Sequence, residues 1–224
     1  MYVHIFALGT IKKIDHMKKL LFITGLLLAQ TGAEAQVKKA VMAAAPTTAT
    51  NWTLDRSHSN VRFNVDHLVI SEVEGSFKMF DGSLTSTTPD FTNAKVEFTV
   101  DVNSINTEDE KRDGHLKSDD FFNAEKFPQM KFTSTSFRKV KGNAYVLEGN
   151  LTIRDVTKKV QFAVIYGGTI KDPWGNTKAG FKASGKINRK DFGLKWGALT
   201  ETGSAVVGDE VRMQINVEFA QAKG

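Results

Sequence analysis

Val211-Arg212-Met213-Gln214-Ile215-Asn216-Val217-Glu218-Phe219 is the stretch that decides the fold class. Apolar and polar residues alternate without a break, so an extended chain carries one dry face and one wet face. The same period places Val61, Phe63 and Val65 on one side, then Val73, Gly75 and Phe77, and then Val96, Phe98, Val100 and Val102. It returns in Tyr145, Leu147, Gly149, Leu151 and Ile153, in Val160, Phe162, Val164 and Tyr166, and in Phe181, Ala183, Gly185 and Ile187. Phe132 and Phe137 mark a further strand whose phase the sequence leaves open.

Turn residues separate these runs: Asp81-Gly82, Gly142-Asn143, Gly167-Gly168, Asp172-Pro173 with Gly175-Asn176, and Gly208-Asp209. About eight antiparallel strands, each with one apolar face, predict an all-β up-and-down barrel or a sandwich. Gly75, Gly149 and Gly185 fall at inward positions, where glycine serves a sharp bend or the close approach of another group. Both roles favour the barrel, and a barrel of about eight strands either packs solid or holds one small ligand.

One tract breaks the strand pattern. Ser104 to Phe132 reads SINTEDEKRDGHLKSDDFFNAEKFPQMKF. Thr107 and Glu110 have capping-box spacing, acids fill the first turn, and Gly114 is placed to end one short helix. Asp119 and Asp120 read as a solvated turn, with Phe121 and Phe122 plugging the core.

Met17-Lys18-Lys19, the apolar run Leu20 to Ala29 and Ala33-Glu34-Ala35 read as a secretory signal peptide cleaved near Ala35. Residues 1 to 16 fit no part of such a signal, so Met17 is the expected start and the preceding residues an upstream extension. Residues 36 to 50, rich in Ala and Thr, form an expected flexible lead-in, and 51 to 222 the folded barrel. The expected location is periplasmic or secreted. No run approaches the roughly 20 apolar residues of a membrane-spanning helix.

Composition excludes several chemistries. With no cysteine there is no disulfide, thiolate nucleophile or sulfur-ligated zinc. The formal charge of +5 loses four lysines and two acids with residues 1 to 35 and becomes +3, with no basic cluster of a nucleic-acid binder. His58, His67 and His115 would have to converge to hold a metal, but nine residues of uninterrupted strand separate the first two by roughly 30 Å. No metal site is expected. Ser57 and Ser59 flank His58, yet strand neighbours point to opposite faces, and no Gly-x-Ser-x-Gly elbow is present. Asp113 and His115 could pair as acid and base; anchoring the helix to a strand end is the expected role. Arg189, near a strand end, could receive an anionic head group or serve as surface charge.

Several ordered motifs are similar to those of the YceI-like family of polyisoprenoid-binding proteins. They begin with Trp52-x-Leu54-Asp55-x-x-His58-Ser59, His67-Leu68 and Gly75-x-Phe77. Arg112-Asp113-x-His115-Leu116-Lys117, Asp120-Phe121-Phe122 and Phe127-Pro128-x-Met130-x-Phe132 follow. Gly149-x-Leu151-Thr152-Ile153, Asn188-Arg189-x-Asp191-Phe192-Gly193 and Val207-Gly208-Asp209-Glu210-Val211 complete the series. Arg154-Asp155 departs from the His-Gly often found in the family. The resemblance implies a lipocalin-like barrel holding an isoprenoid or quinone-like lipid in an apolar cavity, without catalysis and without any other cofactor.

On that reading the cavity is lined by Phe63, Val65, Phe77, Phe98, Val100, Phe132, Leu147, Leu151, Phe162, Val164, Phe181, Ile187, Met213, Ile215 and Val217. His58, His67, His115 and Arg189 are the rim or head-group candidates. One barrel end is expected to be packed solid. Carriage or sequestration of a long-chain lipid is the expected function, and pairing into a homodimer stays open. Two alternatives stand beside it: a hydrolase-type enzyme using His58, His67 or His115 with Asp113, and a solid-cored protein acting through its surface in stress response.

Overall fold

A computed structural model describes residues 48–223. The signal-peptide reading and the lead-in up to residue 47 lie outside the described residues. Ten strands follow in chain order: β1 (Thr50–His67), β2 (Ser71–Phe77), β3 (Phe80–Ser86), β4 (Lys95–Asp101), β5 (Ile105–Asn106), β6 (Gln129–Lys141), β7 (Ala144–Ile153), β8 (Val156–Lys171), β9 (Thr177–Asn188) and β10 (Val207–Gln221). Among the described residues a single α-helix, α1 (Glu110–Lys117), lies between β5 and β6.

The ten strands make eight staves. β2 pairs with the second half of β1 and β3 with the first, so together they run along one edge of it. β5 pairs with the end of β2 and β4 with β3, making a second broken stave. β6 to β10 continue as neighbours, and β10 pairs back onto β1 from Trp52↔Gln221 to His67↔Val207. The result is a closed eight-stranded antiparallel barrel with very little helix, and closure leaves no long sheet edge for another chain to pair with.

Of five register shifts in the barrel, three lie within the strands rather than at their ends and bear on which residues face inward. In β1 the register jumps from Asp55↔Glu218 to Asn60↔Asn216, so residues 56 to 59 loop out and the inward phase passes from Trp52 and Leu54 to Val61, Phe63 and Val65. Ser59 closes the bulge by donating from Oγ to the Asp55 carbonyl (2.6 Å) and accepting from the Glu218 N–H (3.0 Å). A shift between Ser134 and Ser136 in β6 lets Phe132 and Phe137 both point inward despite their odd spacing. The third, at Tyr166 to Gly168, lies within β8.

Several expected turns are therefore strand interior. Asp81-Gly82 lies inside β3, where Gly82 faces the ring of Phe98, and the chain breaks instead at residues 78 and 79. Gly167-Gly168 is the β8 bulge, with Gly168 at φ 111°. Gly208-Asp209 begins β10, and the connection from β9 is the longer segment before it. Gly142-Asn143 and Asp172 to Asn176 do form hairpin turns.

Helix α1 is also corrected in detail. Glu108 adopts φ 61°, Asp109 becomes the N-cap by accepting from the Arg112 N–H (3.0 Å), and Gly114 sits inside a helix that runs on to Lys117. That amide bond holds the Asp109 carboxyl below its ordinary pKa. Thr107 is buried outside the helix, where its N–H (2.9 Å) and hydroxyl (2.6 Å) both donate to Asp113 Oδ1.

The end of the barrel where β1 starts and β10 finishes is packed solid. The β3–β4 loop folds Phe91, at φ 61°, into this end, edge-on to Trp52 (5.1 Å), Phe181 (5.2 Å) and Tyr166 (5.4 Å). Tyr145 OH donates to the Asp90 carbonyl (2.6 Å), and the Asn93 N–H donates to the Phe137 carbonyl (2.8 Å), tying the loop down. Such edge-to-face pairs add about 0.5–1.5 kcal/mol each beyond burial, so the plug is firmly seated.

Candidate functional site

Inside the barrel lies a lumen of about 210 Å³. Its wall includes all fifteen residues that the strand phase assigns to a cavity, from Phe63 and Val65 through Ile215 and Val217. Of the lining residues only Arg62, Lys131 and Arg189 carry charge. The first two alternate with Val61 and Phe63 and with Met130 and Phe132, which turns their charged groups outward. Sequence reasoning did not assign Leu84, Met130, Leu194, Val207 or the capping Leu116 to this wall, whereas the plug Phe121-Phe122, read from the sequence as a segment that covers or frames the cavity, does line it. Leu116 and Leu194 lie off the strands, so no period of two could have found them.

The inward glycines shape the wall. A Cβ on Gly75 would stand 2.2 Å from Cζ of Phe63, one on Gly149 2.4 Å from Cζ of Phe132, and one on Gly185 2.7 Å from Cδ1 of Phe162. Each glycine thus receives a phenyl ring from the neighbouring strand, laid against the sheet rather than standing in the lumen. Close approach, not bending alone, is their role.

The other barrel end carries a cap. Residues 118 to 128 cross it, and Arg154, in the two-residue β7–β8 turn, donates through its guanidinium to the carbonyls of Asp119 and Phe121 (both 3.0 Å) and to Asp119 Oδ1 (2.8 Å). Phe121 packs on Trp196 (5.4 Å) and on the ring of His115 (5.1 Å). Ile153, Leu194 and Phe121 are buried beneath this cap, whereas Val65, Val207, Val211, Leu116 and Phe122 are only half-buried. The lumen therefore opens on the side of β1, β2 and β10.

The four rim candidates go to separate places. Arg189 is buried and donates its five N–H groups to the carbonyls of Gly208 (2.8 Å), Leu194 (2.6 Å), Trp196 (2.6 Å) and Val207 (3.5 Å) and to Asp209 Oδ1 (3.2 Å). Burial lowers its pKa and Asp209 partly offsets that. A guanidinium so fully engaged ties down the segment after β9 and has no hydrogens left for a head group. His67 ends β1 at the surface. His115 bonds Asp120 (2.8 Å), not Asp113, so the acid–base pair is not formed; Asp113 instead holds Thr107.

His58 lies on the β1 bulge, outside the barrel. Ser57 Oγ and Asp55 Oδ2 both approach its Nδ1 at 3.1 Å, whereas a proton relay needs one partner on each ring nitrogen. Asp55, His58 and Glu218 are the only trio of acids and histidines among the described residues close enough to share a metal. Lys178 Nζ already sits there, 2.6 Å from Asp55 and 3.2 Å from Glu218. The Lys178 ammonium, with help from the Ser57 hydroxyl, holds the Asp55 carboxyl far below its usual range, and Asp55 in turn raises the pKa of Lys178. This is an ion-pair clamp across β1, β9 and β10.

Barrel, plug, cap and lumen define a class: small antiparallel barrels that enclose an apolar interior and leave it open at one end. Comparison with known proteins agrees. The model of the YceI-like domain matches residues 52–219, and the chain belongs to that family. A UPF0312 protein of Staphylococcus aureus is 36% identical over 172 residues, covering 76% of this chain and 98% of its own. One from Photorhabdus laumondii is 44% identical over 149 residues, 66% of this chain and 77% of its own. Among solved structures, the Campylobacter jejuni YCEI protein aligns with TM-score 0.60 at 35% identity, over 71% of this chain and 90% of its own. A polyisoprenoid binding domain from Saccharophagus degradans shares the fold with TM-score 0.56 at 16% identity, over 76% of this chain and 98% of its own.

Proposed function

We propose that this protein binds the chain of an isoprenoid or quinone-like lipid in its lumen and carries or sequesters it without chemical change, in the periplasm or outside the cell. The observation that carries this reading is the lumen wall, whose inward-facing side chains are apolar from the Phe91 plug to the cap. Transfer of each methylene from water to such a wall contributes about 0.8 kcal/mol, so affinity needs no specific polar contact. The fold shared with the polyisoprenoid binding domain of Saccharophagus degradans supports the choice of ligand class. The N-terminal Lys18-Lys19, apolar run and Ala33-Glu34-Ala35 support export. No histidine lines the lumen wall, which supports binding there rather than chemistry on the bound chain.

Size bears on how the ligand sits. A cavity of about 150 Å³ holds one benzene, so the 210 Å³ here houses on the order of eight carbons, or between one and two isoprene units. A longer lipid lies with its terminal units inside and the rest, with the head group, leaving on the side of β1, β2 and β10. Native mass spectrometry of the purified protein, with lipid extraction and incubation with a quinone or a polyprenyl phosphate, tests this. One prenyl lipid per barrel is expected; no co-purifying lipid and no uptake refutes it.

A further inference from the structure

The rim of the open end carries bulky apolar side chains that stand largely exposed. The β1–β2 connection is Leu68-Val69-Ile70, between the paired His67 and Ser71. Val69 is 74% and Ile70 86% exposed. Leu68 and Val69 both take positive φ, 53° and 64°, where glycine or asparagine is the residue that fits and a β-branched side chain is strained. Neither solubility nor local backbone preference accounts for an aliphatic tip in that conformation.

A second loop joins it. The Leu68 N–H donates to the Val206 carbonyl (3.0 Å), and the Val206 N–H donates to the Ala198 carbonyl (2.9 Å). That loop exposes Leu199, 72% accessible, opposite Ala205. Among the described residues the other large exposed apolar side chains, Met79, Val140, Ile165, Ile170 and Trp174, lie on the barrel wall or at the plugged end. Val69, Ile70 and Leu199 thus stand on two linked loops, beside the Val65, Val207 and Val211 edge of the lumen.

We infer that this rim is a docking tip for a lipid bilayer, inserting Val69, Ile70 and Leu199 among the acyl chains so that the lumen opens onto the membrane. The inference rests on the lumen being a lipid site. A prenyl chain has negligible solubility, so a barrel that meets the bilayer mouth-first lets it enter without crossing water. A second copy fits the tip less well: three aliphatic side chains offer at most roughly 450 Å² per copy, below the roughly 600 Å² per partner that even a small stable pairing of ~1,200 Å² in total buries. The arginines behind the tip are already engaged by acids, Arg212 by Asp66 (2.7 Å) and Glu72 (2.9 Å) and Arg62 by Glu74 (3.4 Å), so these groups present no free cation to an anionic surface. Adhesion therefore depends on apolar insertion and only weakly on salt or anionic lipid.

Because the chain has no cysteine, Ile70→Cys accepts a single environment-sensitive fluorophore, and Trp174→Cys gives the matching probe at the plugged end. With phosphatidylcholine–phosphatidylethanolamine vesicles carrying doxyl-labelled acyl chains, the probe at 70 is expected to shift blue and be quenched, and the probe at 174 to stay unchanged. Unlabelled Val69→Ser/Ile70→Ser is expected to extract a quinone from vesicles about tenfold more slowly or worse, while taking up the same quinone from detergent as the unchanged chain does. An unquenched probe at 70, or an unchanged extraction rate, overturns the docking tip. So does a blue shift at 70 without vesicles that grows with protein concentration, which identifies a second copy. Failure of both proteins to take up quinone from detergent instead overturns the lipid reading, and is distinguishable because quenching at 70 is read independently.

Discussion

Ala183 offers a graded test of the lumen. It lies on β9 between Phe181 and Gly185, paired with Val164 and Ile215, and its methyl faces the cavity. Leu, Phe and Trp at this position add three, six and nine heavy atoms. At about 25 Å³ per atom, from one benzene in about 150 Å³, these occupy roughly 75, 150 and 225 Å³. The last equals the whole lumen of about 210 Å³. Each displaced ligand carbon removes about 0.8 kcal/mol, so Ala183→Leu is expected to weaken prenyl-lipid binding by about 2.4 kcal/mol, or roughly 60-fold. Ala183→Phe should cost about 4.8 kcal/mol, and Ala183→Trp should abolish binding. Overpacking strain of about 1–3 kcal/mol shows separately as a lower denaturation midpoint. Titration with a fluorescent prenyl analogue, beside urea unfolding of each variant, is the assay. A folded Ala183→Trp protein that binds with unchanged affinity refutes the reasoning, because the chain would then lie elsewhere.

The glycines give a second comparison: Gly149→Ala meets the Thr133 carbonyl at 2.5 Å as well as the Phe132 ring, so it is expected to destabilise the barrel more than Gly75→Ala, which meets only the Phe63 ring. Urea unfolding should place both losses at about 1–3 kcal/mol, with Gly149→Ala the larger. Arg154→Ala removes three hydrogen bonds to the cap. Faster hydrogen exchange at the amides of residues 121 to 124, with little change in the strands, is the expected result. The Asp55–Lys178 clamp predicts a pH window. Asp55 has a depressed folded pKa, so its contribution is full above the unfolded value of about 3.9 and is lost as pH falls. Lys178 has a raised pKa, so its contribution is full below about 10.4 and is lost as pH rises through the folded value. Midpoints of the natural chain and Lys178→Met should therefore differ most between about pH 5 and 9 and converge toward acid.

Much of the lumen was legible because a barrel wall converts alternation directly into an inside and an outside. Met213, Ile215 and Val217 needed only a period of two to be placed. Bulges hid the rest: Phe132 and Phe137 share a face only because of the irregularity at Ser134 to Ser136, and no local residue preference announces it. The turns failed in a telling way. Asp81-Gly82 carries turn chemistry, yet Gly82 stays in the strand because Phe98 opposite it needs the missing Cβ space. Arg189 had the composition of a head-group contact, but five hydrogen-bond acceptors from backbone and side chain converge on it.

By itself, then, the sequence determined an all-β chain, the apolar face of most strands, the absence of cysteine chemistry and family membership, since each is written in neighbouring residues. Tertiary structure alone decided that the sheet closes through β1 and β10, that Phe91 plugs one end, and that Arg154 staples a cap over the other. It also set apart His58, His67 and His115. Contacts between residues far apart in sequence settle which end is sealed and which is open. Local periodicity carries no information about them.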